Sequence, residues 1–489
     1  MTGGRTADVG GVTVSLDHFV NGKRVGSADT FEDRSPLDWS VKLGDVARGD
    51  ATVARVAVTA AIGAADGWAA LGPAGRATIL RRLADLIDEH VEPIATVECL
   101  DMAMLHESLR ARVIGRGARN FRAYADLAER YEPRQWSSNG TDNEVRRMPA
   151  GPTVVITPWN APFMLSTWKS APALAAGNPV VLKPAEWSPL SCSYLCDLAE
   201  EAGVPPGVLN VVQGLGTEVG AALVADPRVR RISFTGSPET GQSLGVAAAR
   251  NLVPFTAELG GKGPLLVFED ADLDAAATTA ARMYDDAGQV CLAGTRLLVA
   301  SGVAEEFYER FRAATDAHVL GDSRDPATTI SPLIHPQHLA RVEGFVERSR
   351  AAGDTVVFGG HRWKDDGLWY EPTLIRPRDN DAEIVQNEVF GPVLTLQEFA
   401  DEDEAVRLAN STRYGLTAMV FTRDASRASR LGDAIRAGTI WVNTYLIRDL
   451  TAPFGGCKAS GMGREGGDYA LDFYSELKTV QVREDTTDG

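Results

Sequence analysis

The chain has 489 residues, 44% of them hydrophobic and 24% charged, values of an ordinary globular protein long enough for about two to four domains. Forty-nine basic residues against sixty-six acidic ones leave a net charge of -17, whose field repels phosphate backbones and anionic lipid, so neither nucleic acid nor a membrane surface is expected as a partner. The residues from Met1 to Gly11 contain no signal-peptide core, no apolar run is long enough to span a bilayer, and five scattered cysteines suit a reducing cytoplasm rather than a disulfide framework.

In chain order, residues 52–70 and 74–90 read as amphipathic helices that should pack on a sheet; the second places Ile79, Leu80, Leu83, Leu86 and Ile87 at helical spacing. Residues 131–149 carry charged and β-tolerant side chains and fit no helix. From Gly151 the pattern becomes regular, with a strand at 153–157, a helix at 163–176, a strand at 179–183, a helix at 190–202, and strands at 208–212 and 231–235 each followed by helical sequence. Such alternation builds a parallel sheet with right-handed crossovers, and ligands bind beyond the carboxyl ends of its strands. A second series follows Glu258, with strands at 264–268 and 296–300 and helices at 272–286 and 303–317. The tail at 472–483 belongs to neither series. The expected fold is α/β: two doubly wound parallel-sheet domains plus a β-strand arm. The first domain takes residues 12–130 and 150–257, the second takes 258–440, and the arm takes 131–149 and 472–483.

Chemistry-bearing residues cluster at the strand ends. Gly214-Leu215-Gly216-Thr217-Glu218-Val219-Gly220 approximates a dinucleotide fingerprint, but its last glycine comes one residue late. Phe234-Thr235-Gly236-Ser237 meets a helix N-terminus, whose free N–H groups suit a pyrophosphate, although serine is also a common cap. Lys183-Pro184-Ala185-Glu186 offers a cation and a carboxylate; the carboxylate could chelate ribose hydroxyls and would repel a 2′-phosphate, favouring NAD over NADP. Cys192 and Cys196 are four residues apart in helical sequence and should pack under that helix rather than bind metal; no metal site is expected. Cys291, in Gly288-Gln289-Val290-Cys291, falls on a loop able to reach a cleft, and Glu258 stands in Glu258-Leu259-Gly260-Gly261-Lys262 at the other junction between the two series.

Together with Pro158-Trp159-Asn160, Glu388-Val389-Phe390-Gly391-Pro392 and Pro453-Phe454-Gly455-Gly456, these motifs occur in the order found in the aldehyde dehydrogenase superfamily, which the chain resembles over nearly its whole length. The resemblance implies oxidation of an aldehyde to a carboxylic acid with NAD in a homodimer or homotetramer. Cys291 would be the nucleophile, Asn160 the oxyanion donor and Glu258 the base for thioester hydrolysis, with Lys169 near the oxyanion and Glu465 in a proton relay. The cofactor would meet Trp159, Lys183, Glu186, Gly216, Phe234, Gly236, Ser237, Glu388 and Phe390. Lys169 and Glu465 could instead satisfy each other, since buried charges must be paired. Asp101-Met102-Ala103-Met104 departs from the glycine and lysine many relatives carry there.

Three rival functions compete with this one. A cysteine hydrolase would need a histidine, and none of the seven histidines sits in a motif. A silent binding protein would not need Asn160, Glu258 and Cys291 together. Acyl transfer to coenzyme A belongs to branches lacking the glutamate at the position of Glu258. Within the superfamily, Ala161-Pro162-Phe163-Met164, Val442-Asn443-Thr444, Arg448-Asp449-Leu450 and Gly463-Arg464-Glu465-Gly466-Gly467 resemble the hydroxymuconic semialdehyde dehydrogenases, including the carboxymethyl-hydroxymuconate type. That resemblance puts Arg116, Trp168, Arg448 and Phe454 at the substrate tunnel, where the arginines would hold the carboxylate of an acidic semialdehyde. Alternatively the arginines face solvent or pair with Asp449 or Asp126, and the substrate is a neutral aromatic or aliphatic aldehyde.

Overall fold

The computed structural model describes residues 4–483. Its first large sheet has eight strands, five of them parallel in the order Phe255–Glu258, Arg231–Thr235, Thr153–Ile156, Val180–Lys183 and Leu209–Val211. Alternation along the strands explains why both faces are covered. Val154, Val181, Val212 and Ile232 point to one core with Ala57 and Val58 of the helix Ala51–Ala70. Val155, Val180, Leu182 and Val211 point to the other, with the helices Pro162–Ala175 and Leu190–Glu201. Antiparallel strands flank the parallel block: His18–Val20 and Lys23–Val25 at one edge, and Gly461–Met462, from far down the chain, at the other.

Strand order reverses between Thr153–Ile156 and Arg231–Thr235, creating a switch point where the following loops diverge. Register then aligns the chemistry: Ile156 stands beside both Lys183 and Phe234, and Thr235 stands beside Glu258. The second sheet has seven strands, ordered Thr355–Phe358, Thr373–Arg376, Val393–Phe399, Arg296–Ala300, Pro264–Val267, Thr417–Phe421 and Thr439–Val442, all parallel except the first. Since Glu258 ends a strand of the first sheet and Cys291 precedes a strand of the second, the chemistry collects at their junction.

Residues 134–149 and the tail form a separate three-stranded antiparallel sheet, in which Thr141–Pro149 pairs with Arg134–Ser138 and Ser475–Arg483. The tail strand starts at Ser475 because Gly467–Phe473 is helical. Two other expectations need correction. The helix Gly72–Glu89 packs not on a sheet but against the helices Ile114–Glu129, Pro162–Ala175 and Leu190–Glu201, since its wide apolar face fits the crevice between helices. The helix expected at 272–286 stops at Ala281. There the chain turns through extended Asp285 and left-handed Asp286 (φ 51°) and Ala287 (φ 54°) before Gly288. A Cβ on Gly288 would lie 2.3 Å from the Gly391 carbonyl oxygen, so only glycine passes there. Cys192 and Cys196 are fully buried free thiols within Leu190–Glu201. No helix among the described residues is long and apolar enough to cross a membrane.

Candidate active site

Beyond that turn the chain presents Cys291, half-buried at the junction of the sheets. Gln289 pins the loop: its side chain accepts from the Ile334 N–H at 3.0 Å and donates to the Asp286 carbonyl at 3.2 Å. The Asn160 amide donates one N–H to the Gln289 carbonyl at 2.9 Å, which fixes its orientation two residues from the thiol and leaves its second N–H free. Burial, with the nearby carboxylates of Glu388 and Glu258, pushes the Cys291 thiol up to about 12, and the Arg448 cation opposes them.

Glu258 is buried at the strand end with neither carboxylate oxygen hydrogen-bonded. Burial, reinforced by the charge of Glu465, raises it well above the ordinary carboxylate range. Such a group is poised to take a proton rather than to hold a structural bond. The backbone at Gly455 lies directly against it, where a Cβ would come within 2.8 Å of Oε1.

Behind Glu258 lies a buried polar network. Lys169 Nζ donates to Glu465 Oε1 at 2.5 Å and to Ser233 Oγ at 3.0 Å. Trp168 Nε1 donates to Glu465 Oε2 at 2.6 Å, and Ser233 Oγ and Thr256 Oγ1 donate to Oε1. Lys169 is thus engaged by Glu465, the counter-charge that burial of the ammonium demands. Ser233 and Thr256 carried no motif; their signal was strand alternation, each lying two residues before Thr235 and Glu258.

On the other side of Trp168 two guanidinium groups converge. Arg116 lies 5.7 Å and Arg448 5.4 Å from the indole centroid, and Arg448 also lies 3.5 Å from the centre of the Phe454 ring. Neither pairs with the aspartates considered as partners: Asp126 is held by Arg81 at 2.6 Å, and Asp449 accepts from Thr451 N and Oγ1 at 2.8 Å. Arg116 Nε donates only to Asn120 Oδ1, at 3.2 Å. Burial, with Arg448 as a neighbouring cation, lowers Arg116 to about 10. Asn120 went unnoticed in the sequence, although its position one helical turn from Arg116 was the available clue.

The switch point holds a second constellation. Lys183, buried at its strand end, donates to Glu186 Oε2 at 2.8 Å, and the Glu186 carboxylate stays one-third exposed. Burial opposes ionisation of Glu186, but Lys183 overrides it and holds the group below its usual range. Ser237 caps the helix Pro238–Arg250 by accepting from Thr240 N at 3.2 Å, while the Phe234 ring folds under Gly236, where a Cβ would lie 2.4 Å from it. Gly216 opens a π-helical turn, Gly216–Gly220, instead of an α-helix, and its Cα faces open space. Across the cleft, Trp159 and Phe390 meet edge to face at 5.2 Å, and Glu388 Oε1 accepts from Gly261 N at 2.8 Å. An ionised carboxylate for vicinal hydroxyls, a serine-capped helix start and an unobstructed glycine make a set that fits a dinucleotide.

A dinucleotide cleft opening on a thiol and an unpaired carboxylate is the arrangement of a carbonyl-oxidising dehydrogenase. Comparison with known proteins makes the class definite: residues 24–480 match the model of the aldehyde dehydrogenase family, and the chain belongs to that family as an NAD-dependent oxidoreductase. It is 40% identical over 485 residues to 2-hydroxymuconic semialdehyde dehydrogenase of Pseudomonas sp. strain CF600, covering 96% of this chain and 99% of the relative. Among solved structures, HpcC from Thermus thermophilus superposes with a TM-score of 0.93 at 44% identity, covering 96% of this chain and 93% of that one. P. syringae AldA indole-3-acetaldehyde dehydrogenase, in complex with NAD+ and IAA, gives 0.94 at 37% identity over 96% and 97% of the two chains.

Proposed function

We propose that this enzyme oxidises a carboxylate-bearing semialdehyde of aromatic-ring catabolism to the corresponding diacid. The observation that carries this reading is the pair Arg116 and Arg448, two half-buried cations that share the Trp168 face and lack any carboxylate partner among the described residues. Gathering two like charges is costly unless an anion arrives to pair with them. A planar guanidinium binds a carboxylate through two parallel hydrogen bonds, so the anionic end of the substrate would rest there while its aldehyde reaches Cys291. The semialdehyde dehydrogenase relative supports this substrate class. Other relatives about as similar are betaine aldehyde dehydrogenases, but a cationic aldehyde would meet two arginines of its own sign.

In the mechanism, the Cys291 thiol releases its proton to water in the cleft, its Sγ forms a bond to the aldehyde carbon and the carbonyl π electrons move to oxygen. The oxyanion accepts from the free N–H of Asn160, whose other N–H is anchored on Gln289. Loss of such a donor typically costs roughly 2.7 to 4 kcal/mol of barrier. Glu186, Lys183, Gly216, Phe234, Gly236 and Ser237 would hold the adenosine and pyrophosphate part of NAD, and Trp159, Glu388 and Phe390 its nicotinamide end. The chemistry NAD supplies when bound is hydride acceptance, which takes the Cys291 adduct from thiohemiacetal to thioester. Glu258 then takes a proton from the attacking water, the C–S bond breaks, and the thiol is restored. Lys169 and Glu465, bonded to each other behind Glu258, would pass that proton onward.

The three-stranded arm leaves Leu477 and Val482 exposed, which fits a role in joining subunits into a homodimer or homotetramer. Five unpaired cysteines fit the cytoplasm. The test is a panel of acidic, neutral, aromatic and cationic aldehydes assayed with NAD and with NADP. The acidic semialdehyde should give the highest kcat/KM, with NAD preferred. Equal efficiency on a neutral aldehyde would replace this reading with a general aromatic or aliphatic aldehyde oxidiser.

A further inference from the structure

The loop carrying Glu388 and Phe390 is held from outside. Three consecutive backbone carbonyls, those of Glu388, Val389 and Phe390, accept hydrogen bonds from two side chains one turn apart on the helix Pro336–Ala351. Arg341 donates to Glu388 O at 2.8 Å and to Val389 O. His338 Nε2 donates to Phe390 O at 2.7 Å. Phe390 needs such a restraint, because its φ of 61° lies in the left-handed region that aromatic side chains disfavour. The His338 ring also meets Trp159 edge to face at 5.2 Å, and His335, which caps the same helix, stacks flat on Trp187 at 4.4 Å. One helix start therefore touches both members of the Trp159–Phe390 pair, Trp159 by ring contact and Phe390 by hydrogen bond.

We infer that His338 and Arg341 are positioning residues that lock the Glu388–Phe390 loop in the conformation that receives the nicotinamide end of NAD. The inference rests on the placement of Glu388 and Phe390 at the cofactor proposed above. Burial lowers His338 to about 4, so it remains a neutral donor throughout the working pH range.

The test measures the NAD dissociation constant of the full-length enzyme without aldehyde, from quenching of tryptophan fluorescence, together with melting temperature and the KM for aldehyde. H338F keeps the ring and removes the donor, H338Q restores an N–H in the place of Nε2, and R341M removes the other two bonds. H338F and R341M should each weaken NAD binding about 3- to 10-fold, while H338Q stays within about twofold of wild type and the aldehyde KM does not move. Unchanged NAD binding in H338F and R341M, or a H338Q variant as weak as H338F, overturns the inference. If H338F does not fold, R341M alone decides. F390A serves as the control: a weakened F390A beside an unchanged R341M refutes the positioning role, whereas an unchanged F390A refutes the loop's place at the cofactor.

Discussion

Replacing Arg448 by methionine keeps the length and apolar stem of the side chain and deletes only the guanidinium. In the structure that group lies 3.5 Å from the Phe454 ring centre and 5.4 Å from that of Trp168, half-buried and without a carboxylate partner among the described residues. A charge-assisted hydrogen bond at such a site contributes about 1.5 to 3 kcal/mol. Since about 1.4 kcal/mol is a factor of ten, kcat/KM for a carboxylated semialdehyde should fall about 10- to 150-fold, mainly through KM. Benzaldehyde, lacking the anion, should lose much less, only what the Cys291 thiol forfeits when the Arg448 cation no longer opposes its upward shift. Folding should respond in the opposite sense. The variant loses a cation that burial penalises and that crowds Arg116, so its melting temperature should hold or rise, as expected where stability is sacrificed to binding. The assay is NADH formation against both aldehydes, with a thermal melt on each protein. Equal losses on the two aldehydes would refute the carboxylate clamp, and a melting temperature lowered by several degrees would show that Arg448 serves the fold instead.

Glu258→Gln should form the thioester and then stall, giving a burst of about one NADH per site followed by turnover slowed about 10²- to 10⁴-fold; undiminished steady-state turnover would remove Glu258 from the hydrolytic step. Glu186→Ser should raise the ratio of NADP to NAD efficiency by about tenfold or more, since it deletes the carboxylate that repels a 2′-phosphate, and an unmoved ratio would place the ribose elsewhere. His18 is buried, accepts from Gln213 N at 3.0 Å and is lowered by that burial to about 4. Because the folded state disfavours its protonation, its contribution is present above pH 6.5 and is lost as pH falls toward 4, on the order of 2 to 3 kcal/mol by pH 4.5. Urea melts between pH 7 and pH 4.5 should show a shallower loss in His18→Asn than in wild type; parallel curves would refute the linkage.

The sequence by itself determined the alternation of strands and helices around Gly151 to Ala300, the strand ends that carry Lys183 and Phe234, and the thiol loop before the strand at 296–300, whereas the strand Phe255–Glu258 emerged only in the structure. The sequence could do so because period-two and period-3.6 patterning, strand-end glycines and capping residues are local properties. Tertiary structure decided what depends on residues far apart in the chain. Lys169 and Glu465 are 296 positions apart, and only packing shows that the two pair. The early end of the helix at Ala281 follows from the need to bring Gly288 against Gly391, a contact invisible to helix propensity. The partners of Arg116 and Arg448 were open in the sequence because surface arginine is common; the fold engages Asp126 and Asp449 elsewhere and leaves both cations without a carboxylate among the described residues. Whether a charge is paired is a property of three-dimensional neighbours, and that pairing separates a solvent-facing arginine from one held ready for a substrate.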